Sequence, residues 1–211
     1  MKSLQLAAGR KFARVTTGAA VRSPRLWRLF RPLLRKQFDA IAPVWDSMRD
    51  DLTFAPYEAA LDGVDPTPGR VLDLGTGTGA GAFTVARRFP DAEVVGADIA
   101  DRMLEVARTN TPAELAGRVR FEHADASALP YDDASFELVA HANMIPFFDE
   151  LARVLKPGGQ TVFAFSGGAD TPIFVPAEKL RSELARRGFT DFADFSAGRG
   201  TALLARKGVR T

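Results

Sequence analysis

The stretch GRVLDLGTGTGAGAFTVARRFPDAEVVGAD, residues 69–98, constrains the chain more than any other. An apolar run, VLDL, ends beside an acid and enters a turn with glycines at 75, 77 and 79. A helical pattern, AFTVARRF, follows, and a second apolar run, AEVVGAD, closes on another acid. Such a strand, turn, helix and strand commit the chain to a mostly parallel sheet with helices on its faces. RVRFEHAD (118–125), FELVAHAN (136–143) and GQTVFAFS (159–166) read as three further strands. Helices are expected from about residue 101 to 109, over DELARVL (149–155) and over PAEKLRSELARRG, the second stopped by KPGG. FTDFADFSAGRGTALLARKG then reads as a terminal hairpin, an unusual close for a parallel sheet.

The first 66 residues follow other rules. Pro24, Pro32, Pro43 and Pro56 divide them into short helical pieces. Ser23 and Pro24 fit an N-cap and first helical residue, and Pro32 is expected to end or kink that piece near Phe30. Leu26, Leu29, Phe30 and Leu33 recur at helical spacing, which predicts an apolar stripe able to pack on or lead into a binding site. Residues 1–38 hold ten Lys or Arg and no acid, whereas 39–211 hold 18 bases against 26 acids. This asymmetry separates a basic arm and helical lid (1–66) from an acidic core (67–211). The arm also admits a targeting leader, a phosphate grip or a membrane-surface contact.

Composition narrows the chemistry. No cysteine and only two histidines leave no disulfide, no thiolate and little material for a metal centre, so none is expected. No window approaches eighteen uninterrupted apolar residues, which predicts a cytoplasmic protein with peripheral membrane contact, if any, through residues 1–38.

The glycine turn permits positive φ and close approach of a ligand to the backbone. GTGTGA satisfies the dinucleotide pattern, and Asp98 stands 23 residues after Gly75, where a ribose-binding acid is expected, so the turn alone leaves a dinucleotide open. Its company is more specific. VLDLGTGTG, VVGADIADRMLEVAR, FEHADASALPYDDASFELV and DELARVLKPGG occur in that order, within a likeness that extends over residues 38–207. Together they resemble the class I S-adenosylmethionine-dependent methyltransferases, in particular the small-molecule group that includes ubiquinone and menaquinone methyltransferases.

The resemblance implies an α/β, doubly wound, seven-stranded sheet of order 3-2-1-4-5-7-6 with strand 7 antiparallel. It implies that Gly75, Thr76, Gly77 and Gly79 wrap the methionine end of S-adenosylmethionine, with Asp73 holding that end. Asp98 would accept the ribose hydroxyls, Ile99 and Met103 would flank the adenine, and Asp125 with the Ala126 backbone would read its edge. QFDAIAPVWDSM (37–48) looks like the FDxxAxxYD lid of quinone-biosynthesis methyltransferases, with Phe38, Asp39, Ala42, Trp45 and Asp46 in register. Trp45 replaces the aromatic hydroxyl.

These positions imply a methyltransferase acting on a small, aromatic or lipophilic acceptor. His141, at the C-terminal end of strand 4, is the candidate base, with an ordinary pKa near 6.5 suited to the task. Asn143, Trp45 and Phe147 are candidate acceptor contacts. His123 reads as structural. Between strand 4 and DELARVL the chain has only MIPFF, shorter than the family's usual segment, which leaves more of the acceptor site to the arm. Two rival readings remain: a nucleic-acid-binding protein or RNA methyltransferase gripping phosphates through the arm, and a cofactor-binding regulator without catalysis. The first lacks a DPPY or NPPY tetrapeptide after strand 4, where the chain has HANM.

Overall fold

The computed structural model describes residues 17–18, 24–48 and 53–209. The cap expected at Ser23 and the first part of the basic arm lie outside the described residues. A seven-stranded sheet has the order β3-β2-β1-β4-β5-β7-β6, the order the resemblance implied. Its strands are β1 (Arg70–Leu74), β2 (Glu93–Asp98), β3 (Val119–His123), β4 (Phe136–Ala142), β5 (Leu155–Phe165), β6 (Phe189–Ala197) and β7 (Gly200–Lys207). Strands β1 to β5 pair in parallel, and β7 runs antiparallel between β5 and β6. Among the described residues six α-helices accompany the sheet: α1 (Pro24–Ile41), α2 (Ala55–Asp62), α3 (Ala80–Arg88), α4 (Asp101–Thr109), α5 (Phe148–Val154) and α6 (Ala177–Ala185); residues 17–18 are also helical, and the 3₁₀ turn Ala42–Val44 extends the lid.

The central strands are apolar at consecutive positions because both faces are covered. Val71, Leu138, Ala140 and Val162 face one layer, where they meet Tyr57 and Leu61 of α2, Val85 of α3 and Leu104 of α4. Leu72, Val139 and Phe163 face the other, against Leu151 of α5, Leu180 and Leu184 of α6, and Trp27 and Leu34 of α1. Helix α2 precedes the expected core boundary, yet it packs over β5, β6 and β7 with Tyr57, Ala60 and Leu61 fully buried.

Three local expectations change. Helix α1 does not end near Phe30 but runs through Pro32. Proline removes one backbone donor, at a cost of about 3 kcal/mol, but Pro32 lies on the exposed side and both flanks of the helix are anchored, at Trp27 and at Leu34. The helix ahead of KPGG stops at Val154, one residue earlier than expected, and KPGG itself lies in β5, which begins at Leu155 and not at Gly159, with Gly158 at φ 79°. The leucine stripe of α1 does not pack inward: Leu26, Leu29 and Leu33 are exposed, and the buried face carries Trp27 and Leu34 instead.

At the sheet's outer edge, β6 changes register against β7 between Thr190 and Ala193. Asp191 there adopts φ 52° and pairs with Arg206 at 3.6 Å, while Asp194 pairs with Arg181.

Candidate functional site

The C-terminal ends of β1, β2, β3 and β4 converge where the strand order reverses, between β1 and β4, the usual ligand crevice of an open α/β sheet. Gly75, Gly77 and Gly79 take φ of 75°, 55° and 92° in the turn from β1 to α3. The turn is tied to β2 by the amides of Gly75 and Thr76, which donate to the Ala97 carbonyl at 2.8 and 3.1 Å. A side chain at Gly79 would strike Phe83 and Phe121, so the loop closes only with glycine there.

Asp98 joins the two turns that border the crevice. Its carboxylate accepts the Gly77 amide on Oδ2 and the Ala100 amide on Oδ1, both at 2.9 Å. Each oxygen retains a lone pair, as a ligand diol requires. Burial pushes the Asp98 pKa above its ordinary 3.8, against the pull of those amides.

Asp73 lies beneath the loop and is 1 % exposed. The Tyr57 hydroxyl donates to its Oδ1 at 2.8 Å, while Oδ2 is buried near the Thr76 hydroxyl and the Ala82 N–H, neither of which makes a well-aligned hydrogen bond to it. Burial pushes the Asp73 pKa to about 6, with the Thr76 and Tyr57 hydroxyls opposing the rise. Burial, and then the Asp73 charge, push the Tyr57 hydroxyl well above its ordinary 10. Tyr57 escaped the sequence reading; its signal was a rare tyrosine, one of two in the chain, inside the apolar helix APYEAALD.

At the end of β3, Asp125 closes its own turn by accepting the Ser127 amide and hydroxyl on Oδ1, at 2.9 and 2.8 Å. It also receives α1: the Trp27 indole donates to Oδ1 at 2.9 Å and Arg31 to Oδ2 at 2.6 Å. Burial alone would raise this carboxyl, but Arg31, the Ser127 amide and Trp27 outweigh it and leave its pKa below 3.8. A cavity of about 480 Å³ opens beside the pair, lined among others by Ile99, His123, Asp125, Arg31 and Asp39. Met103 is not part of it. That residue is buried with Ala42 and Ala100, beneath Phe38 and Trp45 of the lid. Ala126 is likewise buried, in the larger core.

The lid is fastened to the core at several points. Asp39 accepts the Arg102 amide at 2.9 Å, at the start of α4. Asp46 accepts the Thr78 hydroxyl and, at 3.0 Å, the Asn110 amide. Trp45 meets Phe38 edge to face at 5.8 Å, and its indole nitrogen lies over Gly77. Met144, after β4, packs directly on Gly75.

His141 is 1 % exposed and stacks on Phe163 with centroids 4.2 Å apart. Nδ1 lies 3.0 Å from the Val162 carbonyl, so in the neutral ring it carries the proton and leaves Nε2 as an acceptor. Nε2 is buried and unpartnered. Burial pushes the His141 pKa to about 4, only partly offset by the Val162 carbonyl. Asn143, at φ 54°, accepts the Ser166 amide at 2.9 Å and so joins the ends of β4 and β5. Phe147 is buried and meets Trp27 edge to face at 5.2 Å. His123 is half-exposed, with Nδ1 2.7 Å from Asp101. No group of acids and histidines suited to a metal occurs among the described residues.

The positive-φ glycine cradle, the buried oxygens of Asp73 and Thr76 beneath it, and the diol-ready Asp98 beside it suit a nucleoside with a charged amino-acid tail. Known proteins resemble the chain over this region. Residues 71–159 match the family model of a methyltransferase domain. The chain is similar to a demethylmenaquinone methyltransferase of Thermus thermophilus, 43 % identical over 138 residues that make up 59 % of this chain and 62 % of the relative. It is also similar to a ubiquinone/menaquinone biosynthesis C-methyltransferase of Desulfotalea psychrophila, 37 % identical over 145 residues, 62 % of this chain and 57 % of the relative. It thus spans less than two thirds of the length of either curated relative. A solved S-adenosylmethionine-dependent methyltransferase structure from Methanococcus maripaludis shares the fold, with a TM-score of 0.61 and 20 % identity over 84 % of this chain and 93 % of that one. By its motif order, its strand order and these likenesses, the chain carries a methyltransferase domain, residues 71–159, on a sheet of the class I strand order.

Proposed function

We propose that the protein transfers a methyl group from S-adenosylmethionine to a small lipophilic acceptor of the aromatic, quinone-precursor type. The observation that carries the reading is Asp98, whose two oxygens bridge the glycine loop and the next turn while remaining open to a diol. The acceptor class is supported by the names of the relatives and by the lid segment 37–48, whose Phe38, Asp39, Trp45 and Asp46 all contact the core or one another. The same segment continues α1, so the acceptor's route and any peripheral membrane contact of residues 1–38 belong to one part of the chain.

The cofactor supplies an electrophilic methyl group; the protein supplies position and dryness. Gly75 to Gly79 admit the amino-acid tail to the backbone, Asp73 and Thr76 offer polar oxygens beneath it, and Asp98 fixes the ribose. Ile99 and Asp125 border the cavity assigned to adenine, and Ala126 follows in the backbone; Met103 supports that wall from beneath. Such orientation is worth roughly 7–11 kcal/mol of a methyl-transfer barrier. Trp45 over the glycine loop and the Trp27–Phe147 pair beside Asp125 limit water at two sides of the crevice, and Asn143 sets the β4 and β5 ends against which the acceptor lies. His141 accepts the acceptor's proton at Nε2, the only buried ring nitrogen without a partner among the described residues. With a pKa of about 4 it is a weak base, which places its contribution at the low end of general-base catalysis, about 10²-fold.

The test is a methyl-transfer assay with labelled cofactor against demethylated quinols and other lipophilic phenols, run beside Asp98→Ala. Label in a quinol product, absent with the variant, is the expected result. Cofactor binding undetectable by calorimetry would sink the proposal, and transfer only to RNA would replace its acceptor class.

A further inference from the structure

Helix α1 presents two different surfaces. Its inward face holds buried Trp27 and Leu34, with Arg31 on Asp125 and Arg35 on Asp101 and Asp39. The bases nearest the core are therefore spent on core acids. Its outward face carries Leu26, Leu29 and Leu33, which are 40, 72 and 55 % exposed. At about 100° per residue these three fall within an arc of about 60°. Exposed Lys36 borders that arc, about 20° from Leu29, and exposed Arg28 lies about 100° from Leu29 on the same side; neither makes an ion pair among the described residues. The chain that follows adds Val44 and Met48, 55 and 61 % exposed. Five of the six exposed large apolar side chains among the described residues thus lie between positions 26 and 48.

A surface of this kind needs a partner that takes leucines and bases together. A second copy across a two-fold axis would set like-charged arms against each other, since residues 1–38 contain ten bases and no acid. An anionic bilayer accepts both, leucines at the acyl boundary and bases among the headgroups. The remainder of the chain, with 18 bases and 26 acids, is repelled by such a surface, which orients the molecule arm first.

We propose that the outer face of α1, built on Leu26, Leu29 and Leu33 with Lys36 and then Arg28 to one side of them, docks the protein on an anionic lipid bilayer. The inner face of the same helix covers Asp125 and Asp101 at the rim of the site, so docking brings the crevice to the headgroup level. For an acceptor that partitions into lipid, this is where it is met; that clause alone rests on the function proposed above.

The experiment is sedimentation of the full chain with phosphatidylglycerol/phosphatidylcholine vesicles and with pure phosphatidylcholine vesicles. Binding to the first and little to the second is expected. L26S/L29S/L33S should weaken it by about a hundredfold and Arg28→Glu by about tenfold, each with an unchanged thermal midpoint to show that it folds. No sedimentation of the wild type, equal binding to both vesicles, or full binding by the triple leucine variant overturns the proposal. So does leucine-dependent dimerisation without lipid binding, which would assign the face to a second copy. A lower midpoint of the triple variant moves the decision to single serine substitutions at Leu29, the most exposed of the three, where unaltered binding likewise overturns it. Failure to find methyl transfer leaves these outcomes readable, because none of them uses activity.

Discussion

Replacing Asp73 by asparagine is expected to make the protein more stable at neutral pH and a poorer binder of its cofactor. The folded carboxyl titrates at about 6 against an ordinary 3.8. At 1.36 kcal/mol per pH unit, keeping it charged costs the folded state about 3 kcal/mol near pH 7.5. Asparagine still accepts the Tyr57 hydroxyl, but its amide faces the Ala82 backbone N–H that now favours the carboxylate, a loss of about 1 kcal/mol. A net gain of about 2 kcal/mol remains. It should fade with acid: because the folded pKa lies above the unfolded one, the wild type recovers stability as pH falls from about 6 towards 3.8, and the variant cannot. His141 has the opposite sign. Its folded pKa of about 4 lies below 6.5, so its contribution is full above 6.5 and lost as pH falls through 4. The two slopes oppose each other in the wild type, and Asp73→Asn unmasks the second as a steeper loss in acid. Urea unfolding from about pH 7.5 down to about pH 4.5, with cofactor titration calorimetry, reads both effects. A variant less stable than the wild type at neutral pH, or a gain unchanged in acid, would refute the reasoning.

Asp98→Asn should lower cofactor affinity by about a hundredfold, a loss of two charge-assisted bonds of 1.5 kcal/mol or so each, with calorimetry as the readout. Arg31→Ala uncovers Asp125 Oδ2 and should tighten cofactor binding a few-fold; weaker binding would show that the guanidinium serves the nucleotide instead. His141→Phe keeps the stack on Phe163 and should cut turnover about 10²-fold; wild-type turnover across about pH 6–9 would confine the residue to packing. Tyr57→Phe strips the Asp73 carboxylate of its hydroxyl donor and should destabilise the protein by about 1.5–3 kcal/mol, measured by urea unfolding.

The sheet was legible because strands covered on both faces must be apolar at consecutive positions, as VLDL and VVGA are, and because glycines and acids mark where they end. α4 was read at its observed ends, Asp101–Thr109, from the same signals. Helix α1 was not. Proline's penalty is local and visible, whereas the anchors that override it, Asp101 and Asp125, lie 66 and 94 residues from Arg35 and Arg31. For the same reason the burial of α1 could not be oriented: its most regular apolar row, Leu26, Leu29 and Leu33, faces outward, and the indole of Trp27 turns inward because an acid waits there. The glycine loop and Asp98 could be placed from their spacing. The burial of Asp73 against Tyr57 could not, since the two meet only when α2 crosses the sheet.

The irregular outer strand β6 has a consequence for how the protein behaves in a crowded solution. An open sheet edge is a template on which a strand from another molecule can polymerise. Here an incoming strand would meet a ladder that slips between Thr190 and Ala193, and would have to bury Asp191 and Asp194 away from their arginines. The opposite edge, β3, offers Arg120 and Glu122, already paired with each other. Both margins of the sheet thereby disfavour the addition of a strand from a neighbouring molecule.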